Sequence, residues 1–363
     1  MQAGTVAKRI GWIDAMRGFT MILVVFSHVE IFGLGMHPGY TGVNDFFRLF
    51  RMPLFFFVSG FIAFRPNEDW DWGYYRGNML KKMRVQIIPM LFFGLLYVTT
   101  YFAHRQGLST KNAIVGFFDD GEKVGYWFTE ALLGMFFVYY TVSFLLRKCK
   151  LAIRQSVLVV IALALFAMAY GSTTHFANNR VANWLCLYQI CLYFQFFVFG
   201  NLVSCYREKV LKVLGNQYVA AAVLLLFGGL YWLYCQQSDV QHDYVVTTAS
   251  KLMAEVIRFC GVITVVAAFR HFEHFFSVET WVGRGLQHIG QRTLDIYLIH
   301  YFLIPALPAL GLFFGTTNNL VLETTTVVLL SLLVIFFCLI ISNIIRISPF
   351  LAYWLLGVKR DKK

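Results

Sequence analysis

Charge is scarce in this chain. Only 14% of its 363 residues are Asp, Glu, Lys or Arg, where a soluble domain carries about 25%. A soluble globular protein is thereby excluded. No internal repeat shows, and no shift in composition marks off a second domain. The seven cysteines (Cys149, Cys186, Cys191, Cys205, Cys235, Cys260 and Cys338) are odd in number, fall mostly in or beside apolar runs and include no C-x-x-C pair. Neither a disulfide framework nor a metal site is expected from them, and they read as small, polarizable core residues. The opening MQAGTVAKRIGW lacks a short apolar region followed by a small-residue cleavage site, so it reads as an uncleaved cytoplasmic tail.

What the chain has in abundance is apolar surface. Hydrophobic residues make up 58% of it, 38 of them Phe, and apolar runs of about 20 residues recur from end to end. The expected fold class is an all-α polytopic membrane protein. Ten spans are predicted, at 12–33, 46–64, 85–101, 126–146, 157–170, 184–203, 218–235, 250–269, 293–314 and 323–345, with Pro305 and Pro308 placed to kink or break the ninth near its outer end. Residues 1–345 then form one transmembrane domain, and 346–363 an interfacial segment with a basic tail. One set of alternate connections holds Lys8 and Arg9, the run from Arg65 to Arg84, that from Arg147 to Arg154, then Arg207, Lys209, Lys212, Arg270, Arg284 and Arg292, and finally the C-terminal tail. The opposite set holds only Arg105, Lys111, Lys123 and Arg180. By the excess of cations on the cytoplasmic side, both termini are cytoplasmic. The net charge of +12 is then mostly topology and no nucleic-acid footprint. Trp70, Trp72, Tyr74 and Tyr75, in the long inner connection 65–84, are expected at the membrane surface.

The first span, WIDAMRGFTMILVVFSHVEIF, carries Asp14, Arg17 and His28 inside its apolar run. At 100° per residue, Arg17 and His28 lie about 20° apart around the helix and about 16 Å apart along it, with Asp14 within about 60° of both. Each Asp or Arg at mid-helix opposes insertion by roughly 2.5–3.5 kcal/mol. Three polar residues on one stripe therefore mark a candidate active site, with Arg17 about 7 Å and His28 about 24 Å from the cytoplasmic end. The plainer alternative has Arg17 snorkelling or pairing with Asp14, and His28 bridging two helices.

Further candidates follow. In NDFFRLFRMPLFFFVSGFIAF, Arg48 and Arg51 share a face near the outer end, where they suit an anionic substrate or an interfacial ion pair with Asp45; Ser59 lies nearly in line with Arg48. In RTLDIYLIHYF, Tyr297 and His300 share a face at i,i+3 while Asp295 and His300 do not. Lys81, Lys82 and Arg84 at the inner mouth of the third span suit phosphates or simply topology. Glu255 and Arg258, at i,i+3, are expected to pair.

Four stretches together resemble a known family: IDAMRGFTMILVVFSHV with its D-x-x-R-G opening and Arg-x10-His spacing, FRMPLFFFVSGF, YWFTEALL, and LDIYLIH. In this order they are similar to the integral-membrane acyltransferase-3 proteins, which include bacterial O-acetyltransferases of surface polysaccharides. The resemblance implies acyl transfer, usually of acetyl, from cytoplasmic acetyl-CoA or another acyl-CoA to a sugar or polysaccharide hydroxyl, in the bacterial inner membrane and without a metal. It implies Arg17 and His28 as the essential pair, with His28 as general base or transient acyl carrier and Asp14 supporting Arg17. Arg48, Arg51, Ser59, His300 and Tyr297 become candidates for substrate binding, and Lys81, Lys82 and Arg84 for the CoA phosphates. The chain departs from the family pattern at Arg51, where some members carry His, and at Lys82 and Arg84, which stand where an arginine pair is common. The rival is a transporter or exporter of a glycan or small anion lined by the same charged residues; the missing inverted repeat tells against it. A sensor or assembly scaffold would leave the charged stripe without a use.

Overall fold

A computed structural model describes residues 10–36, 42–66, 68–171, 176, 178–237, 244–317 and 319–358. Every regular element among them is helical. The long ones are α1 (Gly11–His28, continued by a π-helical turn, Val29–Gly33), α2 (Gly42–Ala63) and α3 (Trp72–Tyr97, continued through a π-helical turn to Arg105). The short α4 (Thr110–Asp119) precedes α5 (Trp127–Leu145) and α6 (Leu151–Gly171). Then come α7 (Arg180–Trp184), α8 (Leu187–Cys205), α9 (Arg207–Leu214), α10 (Gln217–Gln237) and α11 (Tyr244–His271). The chain continues through α12 (Trp281–Gln291), α13 (Thr293–Ile299, followed by a 3₁₀ turn, His300–Phe302), α14 (Pro308–Thr317), α15 (Leu320–Ile347) and α16 (Pro349–Leu355).

Among the described residues nine helices are long and apolar enough to cross a bilayer. The segment read as the ninth of ten spans is no single helix. It stops at residue 302 and resumes at Pro308, because a proline ring removes the N–H and blocks the turn before it. The segment still runs beside α1: Arg17 meets Thr293, His28 meets His300, and in the break the Leu307 N–H donates to the Gly33 carbonyl at 2.7 Å.

Two glycine contacts set the bundle's tightest packing. A Cβ on Gly60 would lie 1.8 Å from the Phe197 carbonyl oxygen, and one on Gly200 1.9 Å from that of Phe57, so α2 and α8 touch backbone to backbone. Likewise a Cβ on Gly18 would meet the Leu286 carbonyl at 2.0 Å and one on Gly290 the Asp14 carbonyl at 1.8 Å. Helix α12 thus lies flush against the start of α1, an element the sequence reading did not foresee. Small residues let membrane helices approach this closely and gain dispersion contact where no hydrophobic force acts between them.

Two further buried acids in the bundle are paired. Glu255 pairs with Arg258 as expected from their spacing, and also accepts from Gln195 and Tyr170. Asp295 accepts from Arg346 and Ser342. Trp70 is buried within the protein, 1% exposed and packed against Tyr74, Tyr139 and Tyr140. A substitution Gly200→Ala is expected to force α2 and α8 apart, destabilising the fold by about 1–3 kcal/mol and lowering the melting temperature in detergent. Gly228→Ala, where nothing lies within 4 Å, leaves it unchanged or slightly raised; equal melting temperatures for the two variants would contradict the packing.

Candidate active site

The stripe on α1 meets its partners on α13 and the 3₁₀ turn after it. Arg17 donates to Thr293 Oγ1 at 2.9 Å and lies 3.4 Å from Asp14 Oδ1. About 16 Å further along α1, His28 Nδ1 is 2.7 Å from His300 Nε2, with the ring planes 9° apart. His300 Nδ1 is 3.0 Å from the Ile296 carbonyl oxygen, and the Tyr301 hydroxyl is 3.4 Å from His28 Nε2. His300 is fully buried, whereas His28 reaches a cavity.

That cavity, of about 420 Å³, runs between α1, α2, α3, α5 and α13. Arg65, Trp70, Tyr74, Lys81 and Lys82 line it on the side of Arg17, and Arg51, Gly125, Phe128 and Tyr297 on the side of His28. Five basic residues (Arg17, Arg51, Arg65, Lys81 and Lys82) face it, and among the described residues no Asp or Glu does. In a low-dielectric wall such a one-signed set concentrates anions. Met21, Val24, Met52 and Phe55 make the wall between the two ends apolar.

A strained loop closes the end near His28. Lys123, Val124 and Gly125 are all left-handed, at φ 46°, 52° and 98°, and for a β-branched residue such as Val124 that conformation is a true outlier. The loop is anchored from outside. Lys123 is buried, its Nζ donating to the Asn183 carbonyl at 3.1 Å with Glu130 at 3.6 Å. Arg180 donates twice to Asp119, which also accepts from Trp184 Nε1, and these bonds hold the Asp119 carboxyl below its usual range. On the cavity side the Gly125 carbonyl accepts from Tyr297 at 2.8 Å, and a Cβ on Gly125 would lie 1.8 Å from the Tyr301 hydroxyl. The Phe128 N–H donates to the Tyr297 hydroxyl at 3.2 Å, and Tyr126 donates to the Leu298 carbonyl at 3.0 Å. Such strain persists only where surrounding contacts over-determine it.

The structure sorts the residues singled out from sequence. Arg17, His28, Arg51, Ser59, Lys81, Lys82 and Tyr297 all line the cavity. Asp14 does not; it is buried beside Arg17. Arg48 is outside the cavity, 58% exposed and 3.6 Å from Asp45, so the ion pair with Asp45 is the arrangement found. His300 stands behind His28 and out of reach of a substrate in the cavity. Arg84 is turned away from the mouth: it donates to the Tyr353 carbonyl at 2.7 Å and stacks on that ring at 3.8 Å, clamping α16 to α3. Lys82, by contrast, sits over the Phe136 ring at 3.6 Å with its ammonium facing the cavity. Sequence reasoning missed Trp70, Thr293, Tyr301 and the loop glycine Gly125. Only Tyr301, next to His300 in the same motif, carried a readable signal. Among the described residues no group of three or more His, Cys, Asp or Glu side chains is placed to hold a metal ion.

The electrostatics can be read directly with a thiol at Ser59. In a background with the exposed Cys149 and Cys235 replaced by Ser, Ser59→Cys is expected to react about tenfold faster with an anionic methanethiosulfonate than with a cationic one. A preference for the cationic reagent would contradict a basic cavity.

Comparison with known families bears on this geometry. Residues 10–343 match the model of the acyltransferase-3 family, described as an acyltransferase domain. No curated protein and no solved structure matches the chain. The matched region takes in α1 through nearly all of α15, and with it every residue around the cavity. The chain therefore belongs to the acyltransferase-3 family of multi-pass membrane acyltransferases.

Proposed function

We propose that the protein moves an acyl group, acetyl in the first instance, from cytoplasmic acyl-CoA to a hydroxyl of a cell-surface or lipid-linked glycan in the bacterial inner membrane, with both termini in the cytoplasm. The observation that carries this reading is the cavity itself, lined by five basic residues and no described acid, and reaching His28. An acyl-CoA is a polyanion at one end and a thioester at the other, joined by an arm long enough to follow the apolar wall.

In this reading Lys81, Lys82 and Arg65 hold the CoA phosphates as charged donors, and Tyr74 offers aromatic surface for the adenine. Arg17, kept in place by Asp14 and Thr293, orients the donor or stabilises the charge that grows on the thioester oxygen. Such a contact strengthens where water is excluded. His28 removes the proton from the acceptor hydroxyl as that oxygen attacks the acyl carbon; in the variant path its ring takes the acyl group first and passes it on. Arg51, Ser59 and Tyr297 are left to orient the acceptor. Support for the reading comes from the family and from the alignment of Arg17, His28 and the basic mouth along one cavity.

With purified protein, acetyl-CoA and candidate glycans, release of free CoA thiol is expected. His28→Ala is expected to cut the rate about 10²–10⁴-fold and Arg17→Ala about 10²–10³-fold, both inserting normally. Full acylation by His28→Ala, or thiol release absent from the native protein with every glycan, would overturn the assignment; an exporter releases none. The paired change Lys81→Gln with Lys82→Gln is expected to raise the KM for acyl-CoA while nearly sparing kcat, the signature of lost uniform binding. Unchanged KM would place the phosphates elsewhere.

A further inference from the structure

His300 is fully buried and meets His28 at Nδ1, and the proposed reaction gives it no task. We propose that His300 is a positioning residue that fixes which nitrogen of His28 is free to act as base. The inference rests on the acyl-transfer reading for its catalytic meaning, and on hydrogen-bond logic for the rest.

A carbonyl oxygen only accepts. The Ile296 carbonyl at 3.0 Å from His300 Nδ1 therefore requires the proton of that ring to sit on Nδ1. A fully buried imidazolium whose hydrogen-bond partners are a carbonyl and another imidazole is strongly disfavoured, so the ring is neutral and its Nε2 bears the lone pair. At 2.7 Å from that lone pair, His28 Nδ1 must carry its own proton. His28 Nε2 is then bare. It is the atom beside the Tyr301 hydroxyl on a ring that lines the cavity. A backbone carbonyl on α13 thus dictates, through two rings, the tautomer of a side chain on α1. Because the Ile296 carbonyl belongs to the turn of helix just before His300, the rotamer of that ring is fixed by its own helix and by the Tyr301 ring 4.1 Å away.

During transfer the acceptor O–H proton passes to His28 Nε2 while the new C–O bond forms and the C–S bond breaks. The same nitrogen then returns the proton to the departing thiolate, so that ester and free thiol leave together. Between the two steps His28 is an imidazolium whose Nδ1–H points at His300 Nε2. The neutral partner accepts more strongly from that charged donor than from a neutral one. The bond thereby strengthens when the charge appears.

Two variants separate this role from simple packing. His300→Leu removes the acceptor, and kcat is expected to fall at least about a hundredfold with the KM for acyl-CoA and the elution volume of the solubilised protein unchanged. His300→Gln puts an amide oxygen within reach of His28 Nδ1–H and is expected to recover activity to within about tenfold of native. Nitrogen-15 NMR of histidine-labelled native protein in nanodiscs, with the His28 signals assigned by their loss in His28→Gln, is expected to show a protonated Nδ1 and a bare Nε2, a pattern lost in His300→Leu. A native His28 carrying its proton on Nε2, or on both nitrogens at neutral pH, overturns the proposal, as does His300→Gln no more active than His300→Leu. If the native protein acylates nothing, the acyl-transfer reading falls by itself, and the NMR pattern still decides the hydrogen-bond chain.

Discussion

Hydrocarbon offers no hydrogen bonds, so each polar side chain on a membrane helix must be answered from within the bundle. Helix α1 poses that demand at two depths, at Arg17 and at His28, and one chain segment answers both. Thr293 takes Arg17 and His300 takes His28, seven residues apart on the partner segment against eleven on α1. The segment is itself tied down at both ends: Asp295 accepts from Arg346 and Ser342 near its start, and Leu307 bonds to Gly33 near its end. Helix α1 widens into a π-helical turn directly after His28, a local unwinding that recurs at functional sites. Much of the remaining architecture serves to hold these two strips of chain face to face, including α12 pressed on α1 through Gly18 and Gly290.

The cavity in front of this seam is shaped by charge and by strain. Among the described residues its cations have no acid facing them across the space, and a one-signed lining of that kind concentrates anions. Two acids occur nearby without lining the space: Asp14 pairs with Arg17 from behind, and Glu130 lies beside Lys123. At the far end the left-handed run Lys123, Val124, Gly125 brings a backbone carbonyl to Tyr297 and leaves room for the Tyr301 hydroxyl, which no side chain at residue 125 would permit. The anchors of that loop, Lys123 to Asn183 and Arg180 to Asp119, are on the face away from the cavity, so the strain is carried by contacts that a substrate does not touch.

The polar stripe of α1 was legible in the sequence because helical rotation is exact enough over eleven residues to put Arg17 and His28 on one face, and hydropathy makes any charge within such a run conspicuous. The break of the ninth span was legible from Pro305 and Pro308. What periodicity could not tell was which of two arginines three residues apart turns inward: Arg51 reaches Asn44 and the cavity, while Arg48 is exposed beside Asp45. Lys82 and Arg84 pose the same problem. Two residues apart on a helix they face in opposite directions, so one enters the cavity and the other clamps Tyr353. Trp70 and α12 escaped for another reason. Tryptophan before a basic run is ordinary at a membrane surface, and WVGRGLQHIGQ is too short and too polar for a span; only Gly290, meeting Gly18 on another helix, reveals the contact.

A structure of the protein with a thioether analogue of acetyl-CoA tests the central claim most directly. The account places the phosphates among Lys81, Lys82 and Arg65, the arm along the apolar wall past Arg17, and the acyl carbon within reach of His28 Nε2. An analogue bound with its acyl end outside the cavity, or with its phosphates away from the basic mouth, would contradict it.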